Sequence, residues 1–227
     1  MRAHTSDGRE RRAAMAERLG RTGLYVITDD RLDDAALFAR LDASLAAGAD
    51  VVQFRDKLRP RGQAYDVARR VAELCRAAGA LLIVNDYADL AVAVGADGVH
   101  VGQDDLPPDA ARAVVGPERL VGLSASHLAE VRAAANDPHV DYLGFGALFP
   151  TGTKPDAEPA GPDMLAEARR LIARPIVGIG GVTADNLGAA FVAGADSVAV
   201  VSAIFGAPDA GSATRDLLAA IAAARRG

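Results

Sequence analysis

The 227-residue chain contains one cysteine, Cys75, so no disulfide can close within it. A lone thiol in a helical apolar pattern reads as a buried spectator, and a reducing, cytoplasmic compartment is expected. No stretch of about eighteen uncharged apolar residues is present, and the charged N-terminus lacks an apolar signal region; both argue against a membrane segment. Lysine is nearly absent: Lys57 and Lys154 stand against twenty-three arginines. With a net charge of −5 and no lysine-rich stretch, nucleic-acid binding is not expected, and the Arg9–Arg12 run reads as a solvated tail.

Each of the two lysines follows an apolar run, in Gln53-Phe54-Arg55-Asp56-Lys57 and in Thr151-Gly152-Thr153-Lys154. An ammonium is a compact point charge on a thin stem, whereas guanidinium is a broad planar fork. Two ammonium groups kept in an arginine-rich chain point to a close-fitting anionic ligand. The plainer alternative is two surface lysines retained by chance.

Apolar residues make up 50% of the composition, ample for a substantial core. From Leu24 onward, short apolar runs alternate with longer helical patterns, as when crossover helices join parallel strands. Strands are expected at Leu24–Thr28, Val51–Arg55, Leu81–Asn85, Gly98–Val101, Leu120–Ser124, Tyr142–Phe145, Ile176–Ile179 and Ser197–Val201. Helices are expected near Asp33–Ala47, Gly62–Ala78, Ala88–Val94, Pro108–Val115, Leu128–Ala135, Asp163–Ile172, Ala184–Ala193 and Gly211–Arg225. The phrase Ala-Gly-Ala-Asp or Val-Gly-Ala-Asp recurs at 47–50, 94–97 and 193–196, each time just before a strand, its glycine supplying a left-handed helix end. Eight such pairs predict a single-domain α/β fold, a (β/α)8 TIM barrel over residues 23–227. Residues 1–22 read as a flexible extension in which Met15 offers an alternative start. An open doubly wound sheet would instead place a glycine-rich loop after the first strand, where Asp29-Asp30-Arg31 stands.

In such a barrel, outward side chains meet helices and inward ones fill the interior or, near the strand ends, meet the ligand. Alternation therefore turns Gln53, Arg55 and Lys57 inward against outward Val52 and Phe54, His100 inward between Val99 and Val101, and Ser124 to the inner rim. Gly98, Gly122, Gly144, Gly178 and Ala199 read as small inner positions that leave the upper barrel with room. The set converging on the mouth is Arg55, Lys57 and Lys154 as cations, Asp86 and Asp105 as carboxylates, and Gln53, Asn85, His100 and Ser124 as neutral polar groups. Taken singly, each Asp reads more readily as a helix cap and His100 as a satisfied interior histidine. Together they suggest a polyphosphate bridged by Mg2+, whose hard oxygen preference suits one or two carboxylates; the His or Cys cluster that zinc wants is missing. A second anion site is legible where Gly178-Ile179-Gly180-Gly181 and Val201-Ser202 end the last two strands, so two phosphorylated substrates are expected.

These residues resemble the thiamine phosphate synthase family, in an order running from Leu24-Tyr25-Val26-Ile27-Thr28-Asp29 to Val201-Ser202-Ala203-Ile204. The most specific parts are Gln53-x-Arg55-x-Lys57, Asn85-Asp86, Gly98-Val99-His100-Val101-Gly102-Gln103-x-Asp105, Thr151-x-Thr153-Lys154 and Gly178-Ile179-Gly180-Gly181. The resemblance implies a pyrimidine diphosphate site at Gln53, Arg55, Lys57, Asn85, Ser124 and Lys154, and Mg2+ ligands at Asp86 and Asp105. It further implies a thiazole phosphate site at Thr151, Thr153, Gly181, Val201 and Ser202, with catalytic roles for Arg55, Lys57, Lys154 and Ser124. One departure follows Ser124: many relatives carry His two residues later, where this chain has Ser126 and then His127. The implied reaction expels diphosphate from an aminopyrimidine methylene and joins that carbon to a thiazole nitrogen, with no general base and no proton-transfer role for His100. A thiazole tautomerase on the same scaffold, or a binding protein on a retained barrel, are the alternatives; neither needs the intact diphosphate set. A symmetric homodimer is compatible with the sequence, though no motif calls for one.

Overall fold

The computed structural model of the chain describes residues 3–151 and 159–226. Its elements run α1 (Ala3–Thr22), β1 (Leu24–Ile27), α2 (Asp34–Ala46), β2 (Val51–Phe54), α3 (Arg61–Ala78), β3 (Leu81–Asn85), α4 (Ala88–Val94) and β4 (Gly98–Val101). They continue α5 (Pro108–Val115), β5 (Leu120–Ala125), α6 (Leu128–Asn136), β6 (Tyr142–Phe145), α7 (Gly161–Leu171), β7 (Ile176–Ile179), α8 (Leu187–Val192), β8 (Ser197–Val200), α9 (Ser202–Phe205) and α10 (Ala210–Ala224). The strands are all parallel and close in sequence order, β8 pairing back onto β1, which is the expected (β/α)8 barrel. Strand alternation divides the core into two layers. Val52, Phe54, Val99, Val101, Val121 and Leu123 face the surrounding helices. Tyr25, Ile27, Val51, Ile83, Leu120, Tyr142 and Val177 fill the interior.

Local chemistry explains where helices start and stop. Asp33 caps α2 by accepting from the Ala36 amide at 2.8 Å, and Asp209 caps α10 by accepting from Ser212 at 2.9 Å. Gly79 and Gly95 end α3 and α4 in the left-handed conformation. Helix α8 starts later than its apolar pattern suggests because Asn186 closes a turn first. Its side chain accepts from the Thr183 amide (2.8 Å) and donates to the Gly181 carbonyl (2.9 Å). Cys75 lies buried on α3, where desolvation pushes its thiol up to about 12, consistent with an unreactive side chain.

The recurring Gly-Ala-Asp phrase does more than end a helix. Asp97 and Asp196 each clasp the preceding strand, accepting from the Leu82 and Ile176 amides at 3.0 and 2.7 Å, while their own amides donate to those residues' carbonyls. Asp141, before β6, does the same to Val121 at 2.8 Å. These carboxylates mark the N-terminal end of the barrel, opposite the mouth.

That end corrects the reading of the first residues. The segment expected to be a flexible extension is the helix α1, with Leu19 fully buried and Met15 nearly so against the barrel interior. Arginines read as a solvated tail also pair: Arg11 with Asp97 (3.2 Å) and Arg12 with Asp141 (3.3 Å), while Arg18 Nε donates to Asp50 at 3.0 Å. The apolar signal in α1 is too sparse to show a period, but it closes the floor of the barrel. Among the described residues, no helix is long and apolar enough to cross a membrane.

Candidate active site

The second strand sends its side chains where alternation predicts. Gln53 points inward and donates to the Tyr25 hydroxyl at 2.9 Å, whereas Asp56 turns away and accepts from the Leu58 and Arg59 amides, bracing its own loop. Arg55 is fixed to the end of β1: Thr28 Oγ1 accepts from its amide at 2.9 Å and donates to its carbonyl at 3.1 Å. Its guanidinium reaches Asp30 at 3.1 Å, and the same Asp30 oxygen accepts from the Lys57 amide at 3.0 Å.

Lys57 Nζ lies 3.1 Å from Asp86 at the end of β3. Asp86 has φ +63°, a left-handed backbone uncommon outside glycine, and its amide donates to the His100 carbonyl at 2.7 Å. The backbone thus turns this carboxylate across the mouth instead of letting it cap α4. Asp105 closes its own loop by accepting from the Gly102 amide at 2.7 Å and stands beside Asp86. Burial lifts the Asp86 carboxyl above the ordinary range and the Asp105 carboxylate adds to the rise, which Lys57 only partly reverses. Two neighbouring oxygen donors, with the charge on Asp86 disfavoured by burial and by Asp105, are a donor set that a hard divalent cation would relieve. Among the described residues, no group of three or more His, Cys, Asp or Glu side chains converges as a metal site. Such a cation would therefore draw its remaining ligands from substrate and water.

Beneath these groups a hydrogen-bonded chain crosses the interior. Tyr25 Oη lies 3.0 Å from Tyr142 Oη, Tyr142 Oη 3.1 Å from His100 Nδ1, and His100 Nε2 2.9 Å from Ser124 Oγ. Ser124 is also held through its carbonyl, which accepts from Gln103 at 2.6 Å. Asn85 sits beside His100 in the strand register. The inner glycines therefore do not leave empty room. A Cβ on Gly122 would fall 2.2 Å from the Tyr142 ring, and one on Gly144 would fall 2.9 Å from the His100 ring. Gly178 faces outward, toward Leu148, Ala190 and Ala195, because the inward positions of β7 are Val177 and Ile179.

At the last two loops the glycines serve backbone approach. A Cβ on Gly181 (φ +65°) would fall 2.4 Å from the Pro150 carbonyl oxygen, and Phe149 donates to the Gly180 carbonyl at 3.0 Å. This contact delivers Thr151 to the same rim as Gly181 and Val201, with Ser202 exposed at the start of the short helix α9. Thr153 and Lys154 lie outside the described residues. Sequence reasoning missed Asp30, Thr28, Tyr25, Tyr142 and Gln103. Asp30 left a signal, since it follows β1 much as Lys57 and Asp86 follow their strands.

A surface depression of about 590 Å³ lined by Gly20, Arg21, Phe191 and Val192 lies at the floor of the barrel and shares none of these residues. The convergent polar set marks the site better than that concavity does.

The family model described as thiamine monophosphate synthase matches residues 24–204. The chain belongs to that family. It is 44% identical over 204 residues to a thiamine-phosphate synthase of Moorella thermoacetica, covering 89% of this chain and 97% of that protein. It is 48% identical over 179 residues to a thiamine biosynthesis bifunctional protein of Symbiobacterium thermophilum, covering 78% of this chain but only 37% of that longer protein. The thiamine phosphate pyrophosphorylase of Pyrococcus furiosus superposes with a TM-score of 0.83 at 35% identity, covering 91% of this chain and 98% of that one. Membership makes the chain a transferase of thiamine phosphate synthesis acting on phosphorylated small molecules.

Proposed function

We propose that the chain joins 4-amino-2-methyl-5-(diphosphooxymethyl)pyrimidine to 4-methyl-5-(2-phosphooxyethyl)thiazole, releasing diphosphate and thiamine phosphate. The observation that carries this reading is the meeting of Lys57 with Asp86, and of Asp86 with Asp105, at the mouth that Arg55 also borders. A site of both charge signs suits a polyanion that arrives with a cation. An isomerase has no diphosphate to hold and no use for it.

Asp86 and Asp105 would hold Mg2+, which would supply charge neutralisation for a diphosphate leaving group. Arg55 and Lys57 rest on Asp30 and Asp86, so an incoming diphosphate competes for cations already aimed at the mouth. Lys154, three residues after Thr151 in the sequence, adds a third positive charge. These groups stabilise the negative charge that grows on diphosphate as the C–O bond breaks and its electron pair leaves with oxygen. The thiazole nitrogen then gives its lone pair to the freed methylene carbon. No proton is lost, so the site needs no base. Thr151, Thr153, Gly181, Val201 and Ser202 hold the thiazole phosphate and set the nitrogen toward that carbon.

Purified protein supplied with both substrates and Mg2+ is expected to form thiamine phosphate and diphosphate in equal amounts. Folded protein that forms neither overturns the reading.

A further inference from the structure

The interior hydrogen-bond chain has a direction. Gln53 Nε2 can only donate, so the Tyr25 oxygen accepts there and its single hydrogen is left for Tyr142. Tyr142 in turn has its single hydrogen left for His100 Nδ1. Burial raises both phenols well above their ordinary range, so both hydroxyls keep that hydrogen. An imidazole that accepts at Nδ1 carries its own hydrogen on Nε2, which faces Ser124 Oγ at 2.9 Å. Ser124 accepts that hydrogen and turns its own away from the ring.

The barrel is also built around this ring. A Cβ on Gly122 would stand 2.5 Å from His100 Nδ1, and one on Gly144 would stand 3.2 Å from Nε2. The His100 and Tyr142 rings pack with centroids 5.4 Å apart. Two neighbouring strands thus give up side chains to hold an imidazole that the proposed reaction does not use as a base.

We propose that His100 is a positioning residue: fixed as the Nε2–H tautomer by the Gln53–Tyr25–Tyr142 chain, it makes Ser124 a hydrogen-bond donor toward an acceptor atom of the pyrimidine diphosphate. The identity of that acceptor rests on the function proposed above, whereas the tautomer does not.

The first test uses full-length protein labelled with 15N in histidine, free of substrate, with the His100 signals assigned by their loss in His100→Gln. Long-range proton–nitrogen correlations at neutral pH are expected to show hydrogen on Nε2 and none on Nδ1. Hydrogen on Nδ1, or on both nitrogens, overturns the proposal.

The second test is kinetic. Tyr142→Phe removes only a buried hydroxyl and is expected to lower kcat about tenfold with KM changed less than about twofold. His100→Gln keeps an N–H for Ser124 and is expected to stay within about fivefold of wild type, while His100→Leu falls about a hundredfold. Equal losses in the Gln and Leu variants, or an unchanged kcat in Tyr142→Phe, overturn the donor role. Should His100→Leu fail to fold, Tyr142→Phe decides alone. Wild-type protein that makes no thiamine phosphate would refute the proposed function, and the nitrogen spectrum would still decide the tautomer.

Discussion

Asp86 concentrates the conflict on which the site depends. Its backbone is left-handed, and its carboxyl is raised by burial and by Asp105. A carboxyl whose folded pKa is raised holds its proton to higher pH than the unfolded chain does, so folding stability falls as pH rises through that window. The metal-free protein carries that penalty wherever the Asp86 carboxyl is ionised. Asp86→Asn keeps a residue that tolerates a left-handed backbone and removes the charge. It is expected to raise the denaturation midpoint of metal-free protein at pH 7 while greatly increasing the Mg2+ concentration needed for half-maximal turnover. Thermal denaturation and a metal titration check the two halves, and an unchanged Mg2+ requirement would remove Asp86 from the site. At this scale, alternation made the inward set Gln53, Arg55, Lys57, His100 and Ser124 legible. It failed for glycine, which carries no side chain to show a face: Gly178 points outward, and the space at Gly122 and Gly144 belongs to aromatic rings.

In the proposed reaction the loops carry the chemistry because each follows the C-terminal end of a strand. The run from Leu148 to Phe149 is tied to β7 and the loop after it through the Ile179 and Gly180 carbonyls, at 2.8 and 3.0 Å, which holds the approach to Thr151 against the rim. Lys154→Ala is expected to lower kcat by at least about a hundredfold, the scale of losing one preorganised charge, with a far smaller change in thiazole phosphate affinity. Steady-state kinetics paired with a binding isotherm checks this, and equal loss of both would contradict a leaving-group role. Element boundaries were legible to within a residue or so for every strand, because apolar runs bounded by Asp and Gly leave little choice. Helix α9 was not legible, since four residues are too few to show a period. Nor was α1, whose contribution rests on Leu19, Met15 and three arginines scattered among exposed positions.

Across the whole molecule the two ends divide the work. The floor is closed by α1 and by aspartates that clasp strand starts; the mouth collects the charges to which the proposed function assigns the substrate. A change at the floor should therefore cost stability and leave chemistry alone. Leu19→Ala empties a fully buried position and is expected to cost about 2–5 kcal/mol in urea denaturation, with kcat of the folded protein within about twofold of wild type. A large kcat loss in folded protein would mean that the ends are coupled. The barrel was legible because strand, helix and turn signals agree along the chain. What stayed hidden was contact between residues far apart in sequence, such as Tyr25 with Tyr142 or Arg12 with Asp141, which only closure of the barrel brings together.

The most direct test of the mouth as a metal-assisted diphosphate site is thiamine phosphate formation by wild-type protein, first with Mg2+ and then with excess chelator. Product should form with metal, vanish on chelation and return when Mg2+ is restored; undiminished product in the presence of chelator would contradict the roles given to Asp86 and Asp105.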